Sequence, residues 1–244
     1  MIKGIIFDLG STLIKFEGDW QAIGREGAEE MATWYLKKKH IKLDAEALVS
    51  TFLAEREANL KAVRETHTEI LAEQSLKNAL AKINAPASAG AFAEAAIKIY
   101  FTPEENACHP YPNAIDTLKQ LMLQNYRMGL YSNASDDTLI QRLVNKCGLR
   151  PWLSPTFSSA GLGKRKPNPY GFNLIAERWE LDPDEIVVIG DTLSADILGA
   201  QNAGMHSILV TMDQSPSNEK NSHIQPEATA TSLSELPDII AKLY

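Results

Sequence analysis

The chain has 244 residues, 44% of them hydrophobic, and a formal net charge of −7, which is enough apolar material to bury a sizeable core in one large domain or one and a half ordinary ones. Its apolar runs fall far short of the roughly 20 residues of a membrane span, no secretory signal pattern follows Met1, and Cys108 and Cys147 lack metal-knuckle spacing. A cytoplasmic protein with reduced thiols is expected, with a small ligand rather than nucleic acid or membrane as partner, because the acidic balance repels polyanions and no basic stretch carries interleaved aromatics.

Lys3 to Phe7 is a short apolar run ending at Asp8, and Gly10-Ser11-Thr12 breaks it, which predicts a buried strand entering a polar loop. From about Asp19 to Tyr100 the pattern is helical. Trp20, Ile23, Gly27, Met31 and Trp34 recur at helical steps, and Leu48, Phe52, Arg56, Leu60 and Val63 follow the same rhythm. Ile70, Leu76, Leu80 and Ile83 suggest a third helix, and Phe92, Ala96, Ile99 and Tyr100 a fourth. Arg25, Arg56 and Arg64 read as the solvated faces of these helices, with contact to a second anionic group of a ligand as the alternative, and Trp20 as hydrophobic packing at the start of the insert, with a place in the pocket wall as the alternative.

After Pro112 helix and strand alternate: helix from Ala114 to Gln124, strand from Arg127 to Tyr131, helix from Asp137 to Lys146, strand from Thr156 to Ser159. The series continues with helix from Tyr170 to Trp179, strand from Ile186 to Gly190, helix from Ala195 to Ala203 and strand from His206 to Val210, and Asp213 to Pro226 reads as a loop. Alternating βα units predict a Rossmann-like, doubly wound parallel sheet carrying an inserted all-helical domain. The division is core at 1–15 and 106–244, insert at 16–105. Ligands of such sheets bind beyond the carboxyl ends of the strands, near the point where strand order reverses. Asp8, Ser132, Asn133, the loop containing Lys166, and Asp191 occupy those positions.

Asp8 and Asp191 each follow a buried strand, so their carboxylates emerge at one sheet edge and require a counter-charge, which a hard cation such as Mg²⁺ supplies. Either acid alone also fits a helix cap. Asp196 is placed to orient a metal water or a lysine, or to interact with a helix N-terminus. Ser132 with Asn133-Ala134-Ser135 fits a helix opening whose amides attract an anion, though Ser there also serves as a simple cap. Gly163 to Pro169 is a basic loop in an acidic chain.

Phe7-Asp8-Leu9-Gly10-Ser11-Thr12-Leu13, Tyr131-Ser132-Asn133, Lys166-Pro167 and Gly190-Asp191-Thr192 with Asp196 resemble, in order, the four motifs of the haloacid dehalogenase-like hydrolases. The helical insert lies between the first and second motifs, where the family places its helical, C1-type cap. The resemblance implies a Mg²⁺-dependent phosphatase acting on a small phosphorylated metabolite. Asp8 is then the nucleophile that forms an aspartyl-phosphate, Thr12, Ser132 and Asn133 hold the phosphate, Lys166 neutralises charge, and Asp8, Asp191 and the Gly10 carbonyl hold the metal. The sequence departs from the family at Gly10, where its hydrolases usually carry an acid/base Asp. The leaving-group proton then has to come from Ser11, water or an acid of the insert, or the phosphatase is slow. Two other readings are a 2-haloacid dehalogenase using Asp8, and a phosphoryl-ligand binding or regulatory protein. Nothing in the sequence names the oligomeric state.

Overall fold

The computed structural model describes residues 1–213 and 216–243. Its centre is a six-stranded parallel sheet built from β1 (Gly4–Phe7), β4 (Arg127–Ser132), β5 (Thr156–Ser158), β6 (Ile186–Gly190), β7 (His206–Val210) and β8 (Ala228–Ala230). The spatial order is β5-β4-β1-β6-β7-β8. From β1 the chain winds outward through β4 and β5, then returns to lay β6, β7 and β8 on the other side. The reversal point is therefore the seam between β1 and β6, where a ligand crevice opens in this class of sheet. Every residue of β1 and β6 is buried, as expected of strands covered on both faces.

Alternation along the strands divides the core. Ile6, Tyr131 and Val188 face Phe172, Ile175 and Trp179 of one helical layer, while Ile5, Phe7, Leu130, Val187 and Ile189 face the other way. That second cluster is continuous with Met31, Tyr35, Leu48 and Phe52 of the helical region, so sheet and insert share apolar packing. Each such side chain contributes about 1.5–3 kcal/mol by leaving water.

The helical region comprises α1 (Trp20–Lys37), α2 (Ala45–Thr66), α3 (Ala72–Lys82), α4 (Ala87–Gly90), α5 (Ala93–Tyr100) and α6 (Thr102–Ala107). Asp19 and Asp44 start the first two by accepting the Ala22 and Ala47 amides at 2.6 and 3.0 Å. His67, in the left-handed region at φ 51°, stops α2 and turns the chain toward the sheet. The two crossings between sheet and helices lie side by side, because β2 (Ile14–Phe16) pairs antiparallel with β3 (Cys108–Pro110).

The remaining helices are α7 (Ala114–Leu123), α8 (Asp137–Lys146), α9 (Ser159–Leu162), α10 (Tyr170–Trp179), α11 (Leu198–Asn202), α12 (Pro216–Lys220) and α13 (Leu236–Leu243). Two readings from the sequence need correction. Helix Ala195 to Ala203 is a π-helical turn at Leu193–Ile197 leading into α11. The stretch from Asp213 to Pro226 contains α12 rather than loop alone, with Gln214 and Ser215 outside the described residues. Between the insert and Pro112 the chain forms α6, where Pro103 suits a first helical turn, and then β3. No helix among the described residues is long and apolar enough to cross a membrane.

Gly27 of α1 lies against the backbone of α5: a Cβ there would stand 2.1 Å from the Tyr100 carbonyl oxygen. Alanine normally stabilises a helix interior by about 1 kcal/mol over glycine. Here Gly27→Ala is expected to destabilise by about 2 kcal/mol or more, because backbone has to move. Urea denaturation checks it, and a variant as stable as the parent refutes the close approach.

Candidate active site

Phe7 and Ile189 are register partners across the β1–β6 seam, and the Asp8 amide donates to the Ile189 carbonyl at 2.9 Å. Asp8 and Asp191 therefore leave the sheet side by side. A third acid joins them from the π-helical turn, and carboxylate oxygens of Asp8, Asp191 and Asp196 all lie within 4.8 Å of one another. Asp196 gets this close because residue 190 is glycine: a Cβ there would sit 2.3 Å from the Asp196 carboxyl carbon. Such π-helical turns inside helices occur often at functional sites.

The cation in this cluster is Lys166, whose Nζ donates to Asp8 Oδ1 at 2.5 Å and to Asp196 Oδ1 at 2.6 Å. The side chains of Lys166 and Asp196 are each 2% exposed. Burial disfavours the Lys166 ammonium, but attraction by Asp196 and Asp8 outweighs it and the pKa ends above its usual value. Burial, reinforced by Asp8 and Asp196, pushes the Asp191 carboxyl up to about 8. Burial likewise raises Asp196 to about 6, against the pull of Lys166. Three carboxylates facing one ammonium leave a charge of −2 when all are ionised, so the cluster calls for further positive charge.

The donor geometry separates the acids. Both Asp196 oxygens are engaged, one by Lys166 and the other by the Thr192 amide at 3.0 Å. Among the described residues Asp191 accepts only the Thr192 hydroxyl, at 3.1 Å on Oδ1. Asp8 and Asp191 thus retain oxygen lone pairs for a hard cation, and Asp196 holds the lysine.

Two cavities meet over this cluster. One, of about 620 Å³, is lined by Asp8, Lys166, Asp191 and Asp196 together with His67 and Arg64. The other, of about 550 Å³, extends under the helical region. Gly10, Ser11, Ser132, Asn133, Arg64 and Arg165 line both.

Residues 2–204 match the family model of the haloacid dehalogenase-like hydrolases. The chain is a haloacid dehalogenase-like hydrolase. Among its relatives, glyceraldehyde 3-phosphate phosphatase of Methanothermobacter thermautotrophicus is 34% identical over 43% of this hydrolase, which spans 46% of that relative. The corresponding phosphatase of Methanocaldococcus jannaschii is 24% identical over 100% of this chain and 99% of its own. A 2-haloacid dehalogenase from Pseudomonas syringae superposes over the full length of both chains with a TM-score of 0.74 at 24% identity, which shows the shared fold.

The hydrolase brings Asp8, Ser132, Asn133, Lys166, Asp191 and Asp196 together, but not all as the sequence suggested. Thr12 is fully buried, lines neither cavity, and its hydroxyl has no partner among the described residues. Ser11, at φ 54°, turns the chain so that Thr12 points inward and Ser11 takes the cavity wall. The Asn133 side-chain amide clamps the Lys166 backbone, donating to its carbonyl at 3.2 Å and accepting its N–H at 2.9 Å. Asn133 to Ser135 do not open a helix: α8 starts at Asp137, capped by Asp136, and the Ala134 amide donates to Ser159. Gly10 is exposed, and a Cβ at this position would meet nothing within 4 Å. Arg25 is a solvated residue near Glu29, whereas Arg56 and Arg64 line the second cavity, and Trp20 is 59% exposed and stacked on Phe16.

Several contributors carry no local sequence signal. Glu69 from the α2–α3 loop accepts from Arg165 at 2.6 Å and from Ser159 at 2.5 Å. Asn218 of α12 donates to the Asp191 carbonyl at 2.8 Å and accepts the Leu193 amide at 2.9 Å. Glu104 of α6 lines the second cavity.

Burial raises the Glu104 carboxyl to about 7, with Arg56 and Arg142 opposing and Asp136 adding to the rise. Between 4.5 and 7 the folded protein keeps a proton that the unfolded chain has released, so this group lowers stability as pH rises through that window. Glu104→Gln should match the parent at pH about 4.5 and exceed it by about 1–3 kcal/mol above pH 7. Guanidinium denaturation at both pH values reads the difference; a gap that does not change with pH contradicts the burial of this carboxyl.

Proposed function

We propose that this hydrolase is a Mg²⁺-dependent phosphomonoesterase that works through an aspartyl-phosphate on Asp8. The observation that carries the reading is the acid cluster with its deficit of two positive charges beside a polar cavity. A dehalogenase acting on a haloacid needs no such divalent site. The phosphatase names of the relatives favour the same reading.

Asp8 and Asp191 are the residues that would hold Mg²⁺, with the Gly10 carbonyl as a third ligand, and oxygen donors of this kind suit a hard cation. When bound, the ion supplies charge that stabilises the oxygens of the transferring phosphoryl group. The Asp8 carboxylate forms a bond to phosphorus while the bond to the ester oxygen breaks, and that oxygen takes a proton from water or Ser11 as the alcohol departs. Lys166 fixes the carboxylate that attacks and offsets charge on the phosphoryl oxygens; Ser132 and Ser11 line the pocket as hydroxyl donors. Water then attacks the phosphorus of the aspartyl-phosphate, releasing inorganic phosphate and restoring Asp8. In this reading residues 16–105 form a cap over a core of 1–15 and 106–244, hinged at the β2–β3 ribbon, and the substrate is a small phosphorylated molecule.

Asp8→Asn is expected to leave the fold intact and reduce turnover of p-nitrophenyl phosphate with Mg²⁺ to under about one per cent, because the amide lacks the nucleophilic charge. A variant keeping a tenth of parental activity rules out the covalent route.

Gly10→Asp tests the missing acid. The backbone φ is not positive and an added Cβ meets nothing within 4 Å, so the backbone accepts a side chain here. Hydrolysis of alkyl phosphates should rise by about one to three orders of magnitude. Aryl phosphates, whose leaving groups depart without a proton, should gain less. Equal losses on both substrate types in a folded variant mean that another acid already occupies the space.

A further inference from the structure

The cavity under the helical region holds a cation that the protein itself leaves unmatched. Its charged lining residues are Arg56, Arg64, Glu104 and Arg165. Arg165 is engaged by the buried Glu69 at 2.6 Å. Arg64 is exposed, so solvent and salt screen it. Arg56 is half-buried and has no ion pair among the described residues. Its one hydrogen bond there runs from Nη1 to Ser135 Oγ at 2.6 Å, and its Nε is buried with no acceptor. The Tyr100 and Phe101 ring centres stand 5.6 and 5.5 Å from its guanidinium carbon. A guanidinium so placed keeps its full charge and has donors to spare.

Glu104 does not cancel that charge. It lines the same cavity without forming an ion pair with Arg56, and burial raises its carboxyl to about 7 against the pull of Arg56. Near neutral pH it is therefore protonated about half the time. The other charged groups acting on it are committed elsewhere: Arg142 is paired with Glu105 at 2.7 Å, and Asp136 accepts the Leu139 amide at 2.6 Å.

Arg56 is also within reach of the phosphoryl end. Ser135, which accepts from it, follows Ser132 by three residues, so at most about 11 Å of backbone separates them. Ser132 lines both cavities, whereas Ser135 and Arg56 line only the one under the helices. The Ser135 carbonyl accepts the Ala72 amide at 2.9 Å, which fixes this loop against the insert. A molecule with its phosphoryl group over the acids that extends past Ser132 thus comes to Arg56.

We infer that the phosphate monoester preferred by this hydrolase carries a carboxylate on its alcohol part, bound by the Arg56 guanidinium in the cavity under the helical region. This rests on the phosphomonoesterase reading for the phosphoryl end and adds recognition of the leaving group. A singly charged group suits the site, because one guanidinium is unmatched and an ionised Glu104 opposes any further anion. A hydrogen bond between charged partners is worth about ten- to hundredfold in affinity.

Two measurements on the full-length protein with Mg²⁺ at pH 8 test this. In the first, kcat/KM is compared between propyl, butyl and hexyl phosphate and the 2-carboxyethyl, 3-carboxypropyl and 5-carboxypentyl phosphates of matching length. At least one carboxylate should exceed its alkyl partner by about tenfold or more. In the second, calorimetry follows binding of the corresponding phosphonates, which have no ester bond, and should show the same preference. Arg56→Gln should bring the two series level, and Arg56→Lys, which keeps the charge, should retain part of the preference. Glu104→Gln removes the opposing charge and should raise the preference by about three- to tenfold.

If a carboxyalkylphosphonate outbinds its alkyl partner while no ester is hydrolysed, the carboxylate site stands and the phosphomonoesterase reading falls. If esters are hydrolysed but no carboxylate is preferred at any length in either experiment, the carboxylate site is wrong and the phosphomonoesterase reading stands. A preference that survives intact in a folded Arg56→Gln protein overturns the assignment to Arg56. Should Arg56→Gln not fold, Glu104→Gln decides, and a preference that falls or stays unchanged in it overturns the inference.

Discussion

Repulsion among three carboxylates is the constraint around which the chain is arranged. Two unit charges 4.8 Å apart at an effective dielectric of about 20 repel by about 3 kcal/mol, and here three such groups share a largely buried corner. Lys166 relieves two of them directly through its contacts with Asp8 and Asp196. A buried cation between acids does not by itself stabilise a fold, because desolvating the charges offsets much of the attraction. It does fix geometry: removal of the lysine would leave two buried carboxylates with no counter-charge, a loss of about 3–5 kcal/mol. The cluster is thus a place where the protein forgoes stability and holds charge ready for an anion and a cation.

The surroundings of the cluster make sense as devices that keep its members in place. Gly190 lets Asp196 approach β6; the Thr192 amide holds the second Asp196 oxygen; Asn133 grips both polar groups of the Lys166 backbone. The Tyr131 ring lies 5.7 Å from Lys166 Nζ, and its hydroxyl donates to the Lys164 carbonyl at 2.7 Å. Gly171 is required there too, since a Cβ would stand 2.4 Å from that ring. Each contact is modest in energy, about 0.5–1.5 kcal/mol for a typical hydrogen bond, and together they leave the lysine little freedom.

The sheet is the most legible part of the sequence. Ile186 to Gly190 is an unbroken apolar run and Ile208 to Val210 a shorter one, each bounded by polar residues, and the helices Asp137–Lys146 and Tyr170–Trp179 carry clear helical periodicity. Reading the residue after each strand end also reaches Asp8, Ser132 and Asp191, because a parallel sheet puts those positions at one edge. What stays hidden depends on partners far along the chain. β2 and β3 are three residues each and exist because Ile14–Phe16 meets Cys108–Pro110. Glu69, Glu104 and Asn218 look like ordinary surface residues until the fold carries them to the site. Thr12 misleads for a local reason: the left-handed turn at Ser11 reverses which side of the loop faces the cavity.

Beyond the apolar core that it shares with the sheet and the ion pair of Glu105 with Arg142, the helical insert is held by two groups of hydrogen bonds. On one side the β2–β3 ribbon carries both crossings, with the Glu17 amide donating to the Ala107 carbonyl and the Tyr111 amide to the Leu13 carbonyl. On the other, the α2–α3 loop lies on the loop before Lys166: the Arg165 amide donates to the His67 carbonyl, the Glu69 amide to the Gly163 carbonyl, and the Ala72 amide to the Ser135 carbonyl. The Glu69 side chain, 1% exposed, closes this contact through Arg165 and Ser159. A ribbon bends without losing its hydrogen bonds, whereas lifting the loop must expose a buried ion pair and strip several backbone bonds at once. Arg165 is adjacent to Lys166, so any such separation pulls on the residue that holds Asp8.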